Sequence, residues 1–210
     1  MKLFYSTRSP FTRKVRLALA ELDVADKVDL EPADVAFDRA PPPAVAAANP
    51  LGQLPTFVDD DGVAWFGSGV ICEWLDRRFG GWLCPADPNL RVEWRRREAL
   101  ADGLAEKTLR RLVENGRGNT EGVASLEAAI WRSLEYVENL PCLGNDIDLG
   151  WLAVANALDY LDFRAGELDW RNRRPILARW QATLRERPSF SGTGFCVKPT
   201  VVPAEVQPCL

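Results

Sequence analysis

The sequence predicts two domains of different class, an α/β N-terminal domain over residues 1–80 and an all-helical C-terminal domain over residues 87–210. Three observations lead to this prediction. Strand and helix patterns alternate through the first part, helical periods alone fill the second, and a stretch rich in Gly and Pro separates them. A chain of 210 residues is long enough to bury the cores of two such domains.

The first part is predicted to follow the order β-α-β-α-β-β-α. The segments are a strand at 2–5, a helix carrying Phe11, Val15, Leu19 and Leu22, a strand at 28–31, a Pro-started helical stretch at 40–48, strands at 56–58 and 63–66, and a helix carrying Val70, Ile71, Trp74, Leu75 and Phe79. Residues 59–62, Asp-Asp-Asp-Gly, form the turn of a hairpin. Gly80 and Gly81 end the last helix.

The second part is predicted to be a helix bundle. A linker at residues 80–89 precedes helices over 90–115, 121–139, 149–165 and 174–186, with breaks at 116–118, Pro141 and Gly166. Beyond Pro188 the chain is rich in Gly and Pro, and we expect this tail to pack over the surface without forming another helix or strand.

The charge balance argues against a nucleic-acid partner. The formal net charge is -4, whereas sequence-independent binding to phosphates requires an excess of Lys and Arg on one surface. The basic run at residues 95–97 lies beside Glu93, Glu98 and Asp102, and it is interpreted as a salt-bridged, solvated helix face without a function of its own.

A cytoplasmic protein without a membrane span is expected. The N-terminus shows no apolar signal segment, and the longest uncharged stretch, residues 40–58, contains five prolines. The five cysteines are odd in number, and no two form a C-x-x-C motif, which is typical of reduced thiols. They are Cys72, Cys84, Cys142, Cys196 and Cys209.

Ser9 is the first candidate for chemistry. The chain contains no histidine, which excludes Ser-His-Asp and Cys-His catalysis and every metal site that requires His. Ser9 follows the first strand, and with Pro10 behind it the residue is predicted to cap the first helix. Ser9 either caps the helix only, or its hydroxyl and the helix N-terminus also face an anion such as a thiolate. Spacing alone leaves both interpretations open.

Four blocks of the sequence resemble serine-type glutathione transferases, close to the plant tau and bacterial groups. The blocks are residues 9–16 (SPFTRKVR), 49–57 (NPLGQLPTF), 67–75 (GSGVICEWL) and 148–155 (DLGWLAVA). Their order and spacing cover nearly the whole chain. The resemblance implies a thioredoxin-like N-terminal domain, an all-α C-terminal domain, glutathione as a substrate, no metal, and a homodimer.

The resemblance also implies roles for individual residues. Ser9 would activate the glutathione thiol. Pro55 would be a cis-proline that turns the backbone of Leu54 toward the cysteinyl part of glutathione, although position alone favours an ordinary trans proline at a strand start. Ser68 would hold the γ-glutamyl carboxylate, or else it is a plain helix cap. Gln53 would reach the other end of glutathione, unless it is merely solvated.

Two further residues are expected to help form the pocket for the second substrate. They are Phe11 and Trp94, and the substrate implied is a small, largely apolar electrophile.

The sequence departs from known patterns in three respects. Gly67 stands where the family usually has Asp or Glu, so the usual partner of the γ-glutamyl ammonium is missing. An acid placed at this position should tighten glutathione binding a few-fold. Two alternatives would prevent this gain: Gly67 is required by a positive φ, or a partner subunit already supplies an acid. Asp148 is followed three residues on by Trp151, so only half of a reciprocal capping box can form. Ser9 and Thr12 replace the cysteines of dithiol oxidoreductases and form no disulfide.

Three functions are consistent with the sequence. The leading hypothesis is a conjugating glutathione transferase. The alternatives are a glutathione-dependent isomerase of the zeta type, and a non-catalytic protein of the same fold that serves in binding.

Overall fold

The computed structural model describes residues 1–140, 143 and 147–197. By packing, the described chain divides into two compact units, residues 1–84 together with residues 188–197, and a second unit over residues 85–187. The prediction had assigned the whole of residues 87–210 to the helical domain. Of the described residues, 188–197 group with the first unit, where the short helix Pro188–Ser191 contacts the first helix.

The first unit is built on a four-stranded sheet of order β2-β1-β3-β4. Its elements are β1 (Lys2–Tyr5), α1 (Pro10–Glu21), β2 (Asp29–Pro32), α2 (Pro43–Ala48), β3 (Thr56–Val58), β4 (Ala64–Phe66) and α3 (Ser68–Phe79). β1 is parallel to β2 and antiparallel to β3, which is antiparallel to β4. This is the predicted element order and a thioredoxin-like arrangement.

The first unit departs from the predicted boundaries mainly at α2. The helical stretch was predicted from residue 40, but α2 begins at Pro43. The difference has a steric cause, because a residue that precedes a proline is pushed out of the α region, and residues 41–43 are all proline. Only the last of the three can therefore occupy the first helical position.

The core of the first unit fixes the register of its sheet. Leu3 of β1 and Phe57 of β3 are cross-strand partners, and both are completely buried. Burial of each such side chain contributes about 1.5–3 kcal/mol. A slip of one residue would carry both to the opposite face of the sheet. The pairing of β1 with β3 is therefore strongly specified.

The chain beyond Pro188 adds one short helix to the first unit. α9 (Pro188–Ser191) packs on α1, and Phe190 is 3% exposed. The tail was predicted to form no further helix or strand, which is wrong for this single turn. Cys142 and Cys209, and the predicted break at Pro141, lie outside the described residues.

The second unit contains five α-helices in the described ranges, and a short 3₁₀ helix at Gly166–Leu168 follows the third of them. They are α4 (Pro88–Gly116), α5 (Thr120–Glu138), α6 (Leu149–Ala165), α7 (Trp170–Arg173) and α8 (Pro175–Arg185). α4 packs against α5 and α6, and residues 149–161 of α6 are all buried. The four predicted helices end within two residues of the observed ones, whereas α7 was missed because one turn is too short to show a helical period. None of the helices described combines the length and apolar character needed to cross a membrane.

The basic run of α4 is only partly the solvated face that was predicted. Arg95 and Arg96 pair with acids of their own helix, as expected. Arg97 differs, because it pairs with Asp148 and its guanidinium lies 4.8 Å from the ring centre of Trp151. Only 16% of its side chain is exposed. Arg97 therefore links α4 to the start of α6.

Asp148 stabilises the start of α6 through two interactions. Its carboxylate accepts a hydrogen bond from the backbone N–H of Trp151 at 2.8 Å, and it also pairs with Arg97. Trp151 carries no acid that could return a bond to the cap, so the prediction of half a capping box is confirmed. The ion pair to α4 supplies a second restraint at the same helix start.

Two substitutions of Asp148 should separate these contributions. Asp148→Ala removes both the cap and the ion pair, and loss of the cap alone should lower the free energy of unfolding by about 0.5–2 kcal/mol. Asp148→Asn keeps an acceptor for the Trp151 N–H and removes only the charge, so its loss should be the smaller. Chemical denaturation of both variants measures the difference, and equal losses would show that the cap contributes nothing.

Candidate active site at one edge of the sheet

One cross-strand row determines where the candidate site lies. Thr56, at the start of β3, pairs with Phe4 near the end of β1 and with Phe66 at the end of β4. Both pairings are antiparallel, so the end of β1, the start of β3 and the end of β4 lie side by side. The three connections at this edge therefore come close together although they are far apart in sequence.

These three connections carry the predicted glutathione residues. Ser9 follows β1, Leu54 and Pro55 immediately precede β3, and Gly67 and Ser68 follow β4. In strand order β1, β3, β4, the segments form one row along the edge. The sheet thus brings together the residues that the resemblance had assigned to a single site.

Ser9 is the N-cap of α1, as predicted. Its backbone is extended, with φ -91° and ψ 121°, and its hydroxyl oxygen accepts a hydrogen bond from the N–H of Thr12 at 3.2 Å. The side chain is half-buried. Capping uses a lone pair of the oxygen and leaves the hydroxyl proton available for donation. The capping and anion-binding interpretations are therefore compatible.

The hydroxyl of Thr12 contrasts with that of Ser9. Thr12 is completely buried, and its hydroxyl oxygen has no hydrogen-bond partner among the described residues. It lies one helical turn after Ser9, at the position where dithiol oxidoreductases carry their second cysteine. Thr12 is therefore a matched comparison for Ser9, with a hydroxyl on the same turn but no exposed surface.

The Leu54-Pro55 peptide bond is cis, so the trans alternative does not hold. The loop that precedes it is held by Asn49, which is 1% exposed. Its amide nitrogen donates to the carbonyl of Gln53 and to the hydroxyl oxygen of Thr56, each at 3.0 Å. The Thr56 hydroxyl donates to the same Gln53 carbonyl at 2.7 Å. Two side chains thus fix the backbone that leads into the site.

Sequence reasoning gave Asn49 no role. A signal was present, because Asn and Asp side chains often hydrogen-bond the backbone two residues further on. Asn49 does so, accepting from the N–H of Leu51 at 2.9 Å. The loop also requires Gly52, whose φ is +60° and where a Cβ atom would lie 2.5 Å from the Cγ of Pro41.

Three of the predicted side chains receive less support from their surroundings. Gln53 uses its backbone carbonyl in the loop while its side chain is exposed. Phe11 is half-buried at the start of α1. Trp94 is completely buried, and its indole nitrogen has no partner in the part of the chain that is described. A second substrate could contact Trp94 only after neighbouring side chains moved.

Ser68 is the first residue of α3 and is 6% exposed. The N-cap of α3 is Gly67, so the alternative that Ser68 is a plain cap is wrong. Ser68 lies in the first turn, where unpaired backbone N–H groups and the helix dipole favour an anion such as a carboxylate.

Gly67 has a backbone that favours glycine. Its φ is +82° and its ψ is 113°, which lies outside the region that L-residues adopt readily. Space is not the limit, because an added Cβ atom would have Val70 Cγ2 as its nearest neighbour at 3.7 Å. The alternative that Gly67 is required by a positive φ is therefore the one that the geometry supports.

A small charged cluster lies beside this edge. Arg8, which precedes Ser9, pairs with Asp34, and Asp34 also pairs with Arg39. The three side chains carry one excess positive charge, but each is more than a third exposed, so the pairs contribute little stability. The excess charge mildly favours an anion nearby.

Gly67→Asp should lower stability. A side chain at this φ is strained, and residues in such regions cost on the order of 1–3 kcal/mol. A partly exposed ion pair with a ligand ammonium would return only about 0.2–1 kcal/mol. We therefore expect a lower melting temperature and no more than a few-fold gain in glutathione affinity, measured by thermal melting and isothermal titration. A variant that melts like the parent chain would contradict the assignment of strain.

Comparison with known proteins agrees with this geometry. The family profile described as "Glutathione S-transferase, N-terminal domain" matches residues 8–78. The GST-like protein YibF of Escherichia coli strain K12, described as uncharacterized, is 31% identical over 202 residues, which cover 92% of this chain and 98% of that protein.

Solved structures give the same result. A glutathione transferase family member from Pseudomonas fluorescens Pf-5 with bound glutathione superposes with a TM-score of 0.87 at 32% identity, covering 93% of this chain and 99% of that one. A glutathione S-transferase from Methylobacillus flagellatus KT with bound GSH gives a TM-score of 0.79 at 33% identity, covering 92% and 98%. By sequence and by fold, this chain belongs to the glutathione S-transferase family.

Proposed function

We propose that this protein is a glutathione transferase in which Ser9 activates the glutathione thiol for attack on a small, largely apolar electrophile. The observation that carries the proposal is the geometry of Ser9. Its hydroxyl caps α1 through an oxygen lone pair and retains a proton to donate, on the same sheet edge as Leu54 and Ser68. The glutathione bound to the relatives described above supports the choice of substrate.

In this proposal glutathione lies along the row of connections. The backbone of Leu54 pairs with the cysteinyl part, Ser68 and the first turn of α3 hold the γ-glutamyl carboxylate, and Gln53 contacts the other end. Gly67 provides no acid for the ammonium group. Binding therefore relies on hydrogen bonds and a helix terminus. The hydrogen bond from Asn49 to the Gln53 carbonyl and the positive φ of Gly67 hold these groups in position.

The chemical step needs no general base on the protein. The glutathione S–H bond breaks, its proton passes to solvent, and Ser9 donates a hydrogen bond to the thiolate. The sulfur electron pair then forms a bond to the electrophilic carbon. In a displacement the leaving group departs with its bonding electrons, and in an addition the resulting carbanion or enolate takes a proton from solvent.

The magnitudes are sufficient for this step. Lowering a thiol pKa by about two units requires roughly 2.7 kcal/mol of preference for the anion. A hydrogen bond to a charged group contributes about 1.5–3 kcal/mol, and a helix N-terminus adds about 0.3–1 kcal/mol. Ser9 and α1 together therefore reach the required range, which agrees with a chain that has no histidine.

We also propose a location, an oligomeric state and a physiological role for the enzyme. We expect a cytoplasmic enzyme that takes part in detoxification and forms the homodimer that the family resemblance implies, and Phe11 remains our candidate for contact with the electrophile. A second candidate function is a non-catalytic binding protein of this fold. The glycine at position 67 favours that alternative, because the usual partner of the γ-glutamyl ammonium is absent from this residue.

Ser9→Ala should separate these possibilities. Loss of a hydrogen bond to the thiolate should lower kcat/KM near neutral pH by about 10- to 150-fold. Loss of the cap should also lower the free energy of unfolding by about 0.5–2 kcal/mol. The measurements are conjugation of a chlorodinitrobenzene with glutathione over a range of pH, and thermal melting.

Thr12→Val is the matched control. It deletes a hydroxyl from the same turn, but that hydroxyl is buried and has no partner within the described residues, so stability should stay the same or rise slightly. Its conjugation rate should match that of the parent chain. If the parent chain conjugates glutathione and Ser9→Ala does so at the same rate, Ser9 is not catalytic. If the parent chain binds glutathione but shows no turnover, the non-catalytic alternative is favoured.

A further inference from the structure

Residues 188–197, which we term the C-terminal strap, lie on α1 within the first unit. Arg13 of α1 is the main point of contact and is 4% exposed. Its Nε donates to the carbonyl of Thr193 at 3.0 Å, and a terminal nitrogen donates to the carbonyl of Phe190 at 3.4 Å. A guanidinium four residues after Ser9 is thus bound by the backbone of the strap.

Two aromatic rings of the strap surround the same guanidinium. Its central carbon lies 5.2 Å from the ring centre of Phe190 and 4.7 Å from that of Phe195. Both distances fall within the range of a cation–π contact. A buried charge is costly unless its donors are satisfied, and the carbonyls and rings of the strap contribute to replacing the water that Arg13 loses.

The strap has a second anchor on the other side of Ser9. The N–H of Cys196 donates to the carbonyl of Thr7 at 3.3 Å, and the Thr7 hydroxyl donates to the carbonyl of Cys196 at 3.1 Å. Thr7 lies two residues before Ser9 in the connection between β1 and α1. The strap therefore binds the chain both before and after the candidate catalytic residue.

The two anchors act on the backbone that orients Ser9. The N–H of Arg13 donates to the carbonyl of Ser9 at 3.0 Å, which is the first helical hydrogen bond of α1. The N–H of Ser9 donates to the carbonyl of Ser6 at 3.2 Å. A displacement of Thr7 or Arg13 would therefore change the direction of the Ser9 hydroxyl, and stabilisation of an anion by one hydrogen bond depends on that direction.

We infer that Arg13 and Thr7 are positioning residues for Ser9, and that the C-terminal strap holds the Ser9 hydroxyl in the direction needed to stabilise the thiolate. This inference rests on the proposed function of Ser9. The strap then has a role in the reaction although none of its residues needs to contact the reacting atoms.

Thr7→Val is the principal test, because it deletes only the hydroxyl that donates to Cys196 and keeps the shape of the side chain. Loss of one neutral hydrogen bond should lower kcat/KM by about two- to tenfold. The midpoint of the pH–rate profile should move to higher pH, because a misdirected hydroxyl stabilises the thiolate less. Arg13→Gln should give the same changes with larger size, and Thr7→Val remains decisive if the Arg13 variant does not fold.

Ser189→Ala is the matched control on the same strap. Ser189 donates to the carboxylate of Glu21, at the opposite end of α1 from Ser9. The Ser189→Ala substitution should lower the melting temperature. It should leave the pH midpoint unchanged and kcat/KM within about twofold of the value for the parent chain. If Thr7→Val and Arg13→Gln also keep the parental pH midpoint, the strap is only structural and the inference is overturned.

Hydrogen exchange keeps this inference separate from the proposed function. If Ser9→Ala leaves conjugation unchanged, the proposed function fails, and the strap is then judged on the exchange rates of the backbone amides of Ser9 and of residues 11–13. Faster exchange in Thr7→Val than in Ser189→Ala would support anchoring of the Ser9 backbone. Equal exchange in the two variants would overturn the inference on its own.

Discussion

The antiparallel register at Thr56 is the constraint on which the candidate site depends. One residue pairs with Phe4 on one side and Phe66 on the other, so the ends of three strands are aligned at one edge of the sheet. The same residue is fully buried, and its hydroxyl takes part in the hydrogen bonds that hold the loop before Pro55. The position of the strand and the shape of the loop are therefore set together.

The candidate site offers partial charges where many enzymes have ionised side chains. Its candidate groups are a hydroxyl, backbone N–H and C=O groups, and two helix N-termini, and the charged cluster of Arg8, Asp34 and Arg39 is exposed and mostly self-paired. Such groups are effective only when their direction is fixed, since a dipole that must rotate into place stabilises an anion less. This explains why the surrounding structure is rich in restraints on backbone segments, such as Asn49 in the loop and Arg13 on α1.

Residues that break or cap helices and strands made most of the elements predictable. α6 matches its predicted range, and β1 and β3 match theirs, because Gly, Pro and Asp mark where each pattern begins and ends. Glutathione and the roles of Ser9 and Ser68 came from the family resemblance, since spacing alone left simpler interpretations open. The register of β3 with β1 and β4 brings the site segments together, and the sequence of a single segment does not reveal that register.

Long-range contacts account for what was missed. Arg13 looks like a surface residue of an amphipathic helix, and its burial depends on carbonyls that lie 177 and 180 residues away in sequence. Arg97 was assigned to a solvated run because its partner Asp148 belongs to another helix. Trp94, a predicted pocket residue, is completely buried, and the sequence around it does not show which side chains cover it.

Gly67 shows how two opposed effects are resolved at this site. An acid at this position would gain about 0.2–1 kcal/mol from a partly exposed ion pair with the ligand, whereas a side chain at positive φ costs on the order of 1–3 kcal/mol in the protein without ligand. Strain is the larger effect, so glycine favours stability at a small cost in affinity. In the proposed function, affinity for glutathione would then come from groups that need no ion pair, namely the first turn of α3 and the backbone before Pro55 that Asn49 holds. The same φ that disfavours an acid lets the chain turn from β4 directly into α3, and so presents that first turn at the same sheet edge as Leu54 and Ser9.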